Sequence, residues 1–279
     1  MHYTRAQTAD LLTRPLRYLL VDQTDHVLTV TLNRPEKKNA LHPPLLAELA
    51  FTLAYAQDTP AVWVVVLAAA GNVFCAGMDL KALTAGDTEA LNPATVGQAV
   101  PEPDGPIRVG ELMAALHKPC IVRIQGPVYA GGLLLVGGAT YAVAAETATF
   151  SLPEVKRGLF PFQVLAVLTN LMPARKALDL CLRGQTLTAN EAMNIGLVTQ
   201  VVSPDDLDNA IATLVTELKQ GSPTALRFGM EAYQALKSIP VSEQQAFLYE
   251  QFTRIQQTDD AREGMAAFLE KRAPVWQNQ

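Results

Sequence analysis

The sequence predicts an α/β layered core followed by a helical tail. Two observations carry this. Val62–Ala68 is a fully apolar run of strand length, the kind that a parallel or mixed sheet buries on both faces. Such runs alternate along the chain with stretches whose apolar residues recur at helical spacing, until the pattern from Pro204 to about Arg272 becomes helical, interrupted only at Ser222-Pro223. A chain of 279 residues suits one large domain or a domain with an appendage, and 49% hydrophobic residues exclude a disordered one. The net charge of -5 gives no electrostatic reason to expect a nucleic-acid partner.

In chain order, Tyr18–Val21 and His26–Leu32 read as two strands around a polar turn, Asp22–Asp25. Asn33–Leu41 is a charged loop. Pro43–Gln57 carries Leu45, Leu46, Leu49 and Leu53 at helical spacing, and Asp58-Thr59-Pro60 stops that helix. After the apolar strand comes a glycine-bearing turn, Gly71–Lys81. Thr84–Gly110 is poor in aromatics and rich in Pro, Gly and acid, which suits a mobile flap with a short helix. A helix over Ile107–His117 returns the chain to a strand, Lys118–Gln125, and Gly126-Pro127 breaks it. Leu133–Ala144 is small and apolar enough to enter the core as a helix. Short strands follow at Tyr141–Ala145 and Thr149–Leu152, helices at Pro161–Asn170 and Ala174–Arg183, then a helix capped by Thr188 and a final strand, Val198–Val202.

Ala130-Gly131-Gly132-Leu133-Leu134-Leu135-Val136-Gly137-Gly138, after the Lys118–Gln125 strand and running into the buried helix, is the stretch around which the rest is organised. Glycines there let a backbone approach closely and leave N–H groups at the helix start unpaired. Such groups can stabilise developing negative charge. The glycines alone equally fit a tight turn packed on a neighbouring backbone.

Cys75, Cys120 and Cys181 are far apart, lack metal-ligand spacing and lie in apolar contexts, so they read as reduced core residues of a cytoplasmic protein. Met1–Arg17 is charged and has no apolar stretch of the signal-peptide kind, and no apolar run reaches membrane-spanning length. No membrane partner is expected.

Five segments stand in order along the chain: Asn33-Arg34-Pro35 with Asn39-Ala40-Leu41, then Phe74–Leu80, Gly126–Gly132, Phe150–Gly158, and Asp260–Arg272. Together they resemble the crotonase (enoyl-CoA hydratase/isomerase) superfamily, from about Tyr18 onward. The resemblance implies a crotonase-like ββα spiral core with an acyl-CoA site over residues 1–203. It also implies a C-terminal helical segment over 204–279 that covers CoA and builds a homotrimer or a dimer of trimers. Coenzyme A would enter as part of the substrate, and no metal or further cofactor is implied.

By position, the resemblance assigns two main-chain oxyanion donors, the N–H groups of Met78 and Gly131, which would hold the thioester oxygen as an enolate forms. Backbone donation tolerates a Met side chain at 78, and losing one such donor costs about 2.7–4 kcal/mol of transition-state stabilisation. Lys38, Lys81 and Lys271 resemble the basic residues that approach CoA phosphates, Lys271 with Arg272 from a tail reaching a neighbouring subunit. Ala40, Ala76, Asp79, Leu80 and Leu134 complete the implied substrate and CoA contacts. His42 and His117 lack a motif partner and read as structural or surface residues.

The acid–base pair sets the expected reaction. Hydratases of this family use two glutamates, one on the central helix and one after the later strand. The second is Glu154, but the first position holds Leu134, which cannot move a proton. Glu154 alone could take a proton from C2 or C4 of an acyl chain and return it elsewhere, so the resemblance implies double-bond isomerisation of the Δ3,Δ2-enoyl-CoA type. An apolar pocket with Leu133, Leu134, Phe160 and Phe162 would raise its pKa towards neutrality. Alternatives are hydration with an acid from the flap (Asp87, Glu89, Glu102 or Asp104), acyl-CoA decarboxylation, or a non-catalytic CoA-binding role.

Overall fold

In a computed structural model, which describes residues 2–79 and 99–278, the strands are β1 (Leu19–Thr24), β2 (Val27–Leu32), β3 (Val64–Ala69), β4 (Cys120–Ile124), β5 (Val128–Tyr129), β6 (Tyr141–Ala145), β7 (Thr149–Ser151), β8 (Thr186–Thr188) and β9 (Gln200–Val202). Six pair in the order β1-β2-β3-β4-β6-β9, and β5-β7-β8 make a second, smaller sheet. Only β1 and β2 are antiparallel in the large sheet. Their turn is two residues, Asp25 and His26, with φ of 49° and 68°, the double left-handed pair that matches strand twist. It is therefore tighter than the polar stretch Asp22–Asp25 suggested.

The parallel strands need crossovers, and the first is the helix Pro43–Asp58, buried at every position from Leu45 to Ala56. A helix apolar on nearly all sides belongs inside. Its one buried acid, Glu48, accepts the main-chain N–H groups of Arg17 (2.9 Å) and Tyr18 (2.8 Å). This fastens the N-terminal segment, where a short helix, Arg5–Thr8, forms behind a Thr4 capping box. Tyr3 meets Phe51 edge-on at 5.1 Å and donates its hydroxyl to Pro101 C=O, while Arg14 reaches Ala99 C=O at 2.9 Å.

Alternation along the strands divides the core in two. Leu28, Val30, Val65, Leu67, Val122 and Ile124 face the helix Pro43–Asp58 and the central glycine stretch. Val64, Val66, Ile121 and Val143 face the opposite side, where Leu207 and Ile211 of the helix Leu207–Gln220 cover them.

Several elements are shorter than their sequence patterns predicted. The central helix runs Leu133–Gly138 rather than to Ala144, because Tyr141–Ala145 is claimed by the sheet. The helix before β4 is Val109–Ala114. The tail folds as Leu207–Gln220, Pro223–Leu236, Val241–Ile255 and Asp259–Glu270, with breaks beyond the one at Ser222-Pro223. Tyr249, Phe252, Phe268 and Leu269 of the last two are exposed. No helix among the described residues is long and apolar enough to cross a membrane. Leu80, Lys81 and most of the flap, with Asp87 and Glu89, lie outside the described residues.

Candidate active site

Two turns meet where β3 and β4 deliver the chain to the smaller sheet. The Phe74–Met78 turn is zipped along Pro127–Tyr129: Phe74 N–H donates to Pro127 C=O at 3.0 Å, and Tyr129 N–H to Cys75 C=O at 2.9 Å. The contact is so close that a β-carbon on Gly77 would lie 2.6 Å from Ala130 Cβ and 3.0 Å from Gly131 N. Gly77 also has φ of 86°, so both space and backbone demand glycine there. Ala130 adopts φ of 51° without that freedom, a conformation that costs roughly 1–2 kcal/mol. It turns the chain into the 3-10 turn Ala130–Gly132 that opens the central helix.

The donors follow from this geometry. Leu41 bridges Met78 in parallel, using Leu41 N–H to Gly77 C=O (2.7 Å) and Asp79 N–H to Leu41 C=O (2.8 Å). Met78 N–H therefore points away from Leu41. Gly131, at a helix start, has an N–H that no intrahelical carbonyl reaches. The two turns face each other, since a β-carbon on Gly131 would stand 3.6 Å from Met78 N. Neither N–H has a main-chain partner among the described residues outside regular helix and strand pairing.

Glu154 is related to Gly131 through the smaller sheet. β5 and β7 pair in parallel, Val128 with Phe150 and Tyr129 with Ser151. Gly131 follows Tyr129 by two residues and Glu154 follows Ser151 by three, so both leave the same end of one ladder. Glu154 opens the 3-10 segment Pro153–Arg157 and is half-buried. Its Oε2 is buried with no hydrogen-bond partner among the described residues. Burial pushes its carboxyl above the usual range, with its own main-chain N–H and Arg157 pulling weakly the other way. Leu134 is only 3% exposed and packs in the main core. Phe160 is packed against that core, whereas Phe162 is exposed.

Residues 22–279 match the family described as enoyl-CoA hydratase/isomerase. The chain belongs to that family. It is 33% identical over 263 residues to enoyl-CoA hydratase EchA19 of Mycobacterium tuberculosis, covering 93% of this chain and 96% of that one. It is 31% identical over 256 residues to mevalonyl-coenzyme A hydratase sidH of Aspergillus fumigatus, covering 91% and 92%. The solved enoyl-CoA hydratase of Mycobacterium smegmatis superposes with a TM-score of 0.82 at 30% identity, over 93% of this chain and 99% of that one. The protein is thus an enzyme of the crotonase superfamily, with its mixed α/β fold and helical C-terminal region.

The remaining positions can be located on this enoyl-CoA hydratase/isomerase-family frame. Lys38 is exposed, with φ of 53°, and its C=O accepts Ala76 N–H at 3.0 Å, so the lysine's backbone is tied directly to the Phe74–Met78 turn. Ala40 is buried and Ala76 half-buried. Asp79 pairs with Arg34 at 2.8 Å. Lys271 is exposed at the end of the last helix. Arg272 is held within the chain by Glu263 (2.5 Å) and Glu270 (2.6 Å), which occupies the guanidinium that the sequence suggested for a neighbouring nucleotide. His42 is buried edge-on against Tyr18 at 4.4 Å, and burial drives its pKa down to about 4. Cys75, Cys120 and Cys181 are buried free thiols.

Asn39 and Arg34 make contacts beside the Phe74–Met78 turn that the sequence did not reveal. Asn39 is fully buried; its side chain accepts Arg34 N–H and donates to Ala70 and Val73 C=O, each at 2.9 Å. A signal was present: an Asn in a charged loop is the residue that tolerates the left-handed φ of 52° found here.

Proposed function

We propose that this enzyme shifts the double bond of a 3-enoyl-CoA thioester to the 2-position, with Glu154 as its single acid–base group. The observation that carries the reading is the contrast between two positions. Glu154 presents a buried carboxylate oxygen with no hydrogen-bond partner among the described residues, and buried Leu134 stands where the family resemblance puts the second carboxylate that activates water.

In the proposed cycle, the thioester oxygen accepts the N–H groups of Met78 and Gly131. Glu154 takes a proton from C2, and the C–H electron pair moves into the C1–C2 bond, leaving negative charge on the thioester oxygen between the two donors. The resulting dienolate recovers the same proton at C4, so the double bond comes to rest between C2 and C3. Nothing is added or lost, and one carboxyl suffices. Burial suits Glu154 to the task, because a base with a raised pKa binds the proton well enough to remove it near neutrality. Lys38, held against the oxyanion turn, is the side chain we assign to the CoA phosphates, with Lys81 and Lys271 as further candidates. The exposed Phe252, Phe268 and Leu269 fit burial between subunits, which supports self-association; the trimer is what the family resemblance implies.

The names of the relatives favour a second reading, hydration of a 2-enoyl-CoA, because EchA19 and sidH are both called hydratases. One experiment separates the two. Purified protein and its Glu154→Gln variant are given 3-enoyl-CoA and 2-enoyl-CoA in deuterated water. Isomerisation by the wild type and its loss in the variant, without formation of 3-hydroxyacyl-CoA, supports the single-base reading. Rapid hydration of 2-enoyl-CoA overturns it and shows that another group supplies the missing acid.

A further inference from the structure

We propose that Arg34 is a positioning residue for the oxyanion site, acting on Met78 through a relay of two peptide groups. Arg34 Nη1 donates to Ala40 C=O at 3.1 Å and to Asp79 Oδ2 at 2.8 Å. The carbonyl of Ala40 and the N–H of Leu41 belong to one planar peptide, so they point in opposite directions. Leu41 N–H donates to Gly77 C=O at 2.7 Å. That carbonyl in turn shares a peptide plane with Met78 N–H. The sequence of contacts runs from the guanidinium to the Ala40–Leu41 peptide, then to the Gly77–Met78 peptide, and ends on the donor aimed at Gly131.

Two consequences follow. Rotation of the Gly77–Met78 peptide would break the Leu41 bond, so the direction of Met78 N–H is set by the position of Leu41. Leu41 itself is held by the guanidinium on the carbonyl side of its peptide. The hydrogen bonds also run head to tail from a cation, an order in which each bond polarises the next and makes the last N–H a better donor.

The surroundings preserve this arrangement. Arg34 and Asp79 side chains are 14% and 17% exposed, so the pair is largely shielded from solvent. Asp79 N–H is bonded to Leu41 C=O, which fixes the far side of Met78 as well. Asn39 pins Arg34 N–H, and Ala76 N–H is held by Lys38 C=O. The loop proposed to read phosphate and the turn that supplies an oxyanion donor are thus one hydrogen-bonded body.

This inference rests on the oxyanion role of Met78 but not on isomerisation. Its test therefore uses a thioester that does not turn over, butanoyl-CoA labelled with carbon-13 at C1, bound to the full chain. Infrared difference spectra report how far the bound carbonyl stretch falls from its frequency in water. The wild type should lower it, Arg34→Met should remove a measurable part of that shift while the Gly131 donor keeps the rest, and Arg34→Lys, which keeps a cation, should recover part of what is lost. In turnover, Arg34→Met should lose about tenfold in kcat with KM nearly unchanged, less than the roughly 10²–10³ that loss of a whole donor costs. Should Arg34→Met not fold, the Arg34→Lys spectrum alone decides, an intermediate shift supporting the relay. A full carbonyl shift in a folded Arg34→Met protein overturns the relay and leaves the oxyanion site standing. No shift in the wild type overturns both.

Discussion

Gly131→Ala separates the oxyanion role from the folding role of the central glycine stretch. The added methyl meets nothing closer than Met78 Cγ at 3.5 Å, with Met78 N at 3.6 Å and Gly77 Cα at 3.9 Å. These are ordinary contacts, and Gly131 does not have a positive φ. The fold should therefore accept alanine, and restricting the unfolded chain is worth about 0.4–1 kcal/mol in its favour. The same methyl, however, projects towards the other donor, into the space an oxygen accepting from both N–H groups would need. Turnover should fall as if one donor were lost, by roughly 10²–10³ in kcat. Gly77→Ala makes the contrast: φ of 86° and contacts of 2.6 and 2.9 Å to Ala130 Cβ and Tyr129 O require the turns to part, so its stability should fall. Thermal unfolding and steady-state turnover on both variants test this. If Gly131→Ala unfolds like the wild type and keeps activity within a few-fold, the assignment of Gly131 N–H is wrong.

Three further outcomes follow from buried ionisable groups. Burial raises the Glu154 pKa above its ordinary 4.5, so the unfolded chain gives up this proton more readily and ionisation destabilises the fold as pH rises through and above that value. Glu154→Gln should then be at least as stable as the wild type at pH 7 and lose the advantage below about pH 4.5, as followed by melting temperature; a variant markedly less stable at pH 7 contradicts the assignment. Lys118 donates to Ala56 C=O at 2.5 Å and Thr59 C=O at 2.7 Å, and burial lowers its pKa to about 7. Between pH 7 and 10.5 the unfolded state holds the extra proton, so wild-type stability should gain a rising contribution that Lys118→Met lacks; parallel pH profiles of the two proteins would refute this. Glu48→Ala strands the N–H groups of Arg17 and Tyr18, at about 1–3 kcal/mol for each. Urea unfolding should show that loss, and protease should cut before Tyr18 sooner than in the wild type; an unchanged denaturation midpoint would contradict it.

The large sheet was legible in the sequence because its strands are long enough to show a pattern. Val62–Ala68 advertises burial on both faces, and Leu45, Leu46, Leu49 and Leu53 advertise the crossover helix. The smaller sheet was not. Val128–Tyr129 has two residues and Thr186–Thr188 three, too few for any period to emerge, and their pairing with Thr149–Ser151 is set by tertiary packing. The candidate site shows the same division. The glycines at 77, 131 and 132 are visible as a residue type, although only Gly77 is demanded by its φ and Gly132 by the closeness of Cys75 at 3.0 Å. Arg34 looked like one charge in a charged loop, since its meaning lies in the carbonyl it touches, and that contact depends on Lys38 and Asn39 both adopting left-handed φ. The tail's exact breaks were hidden because Gly229 and Gly264 lie inside helices, whereas the break at Gln256–Thr258 carries neither glycine nor proline.

The two oxyanion donors we assign, Met78 and Gly131, are main-chain N–H groups, so no replacement other than proline at either position deletes them as atoms. Glu154 and Leu134, by contrast, are ordinary side chains, one just after β7 and the other on the central helix after β5. Their mounts hang from the two-rung pairing of β5 with β7, apart from the large sheet that carries most of the core. A lineage can therefore exchange proton-transfer groups by single-codon steps while enolate stabilisation is inherited unchanged. The scaffold conserves the intermediate and leaves its fate open to selection.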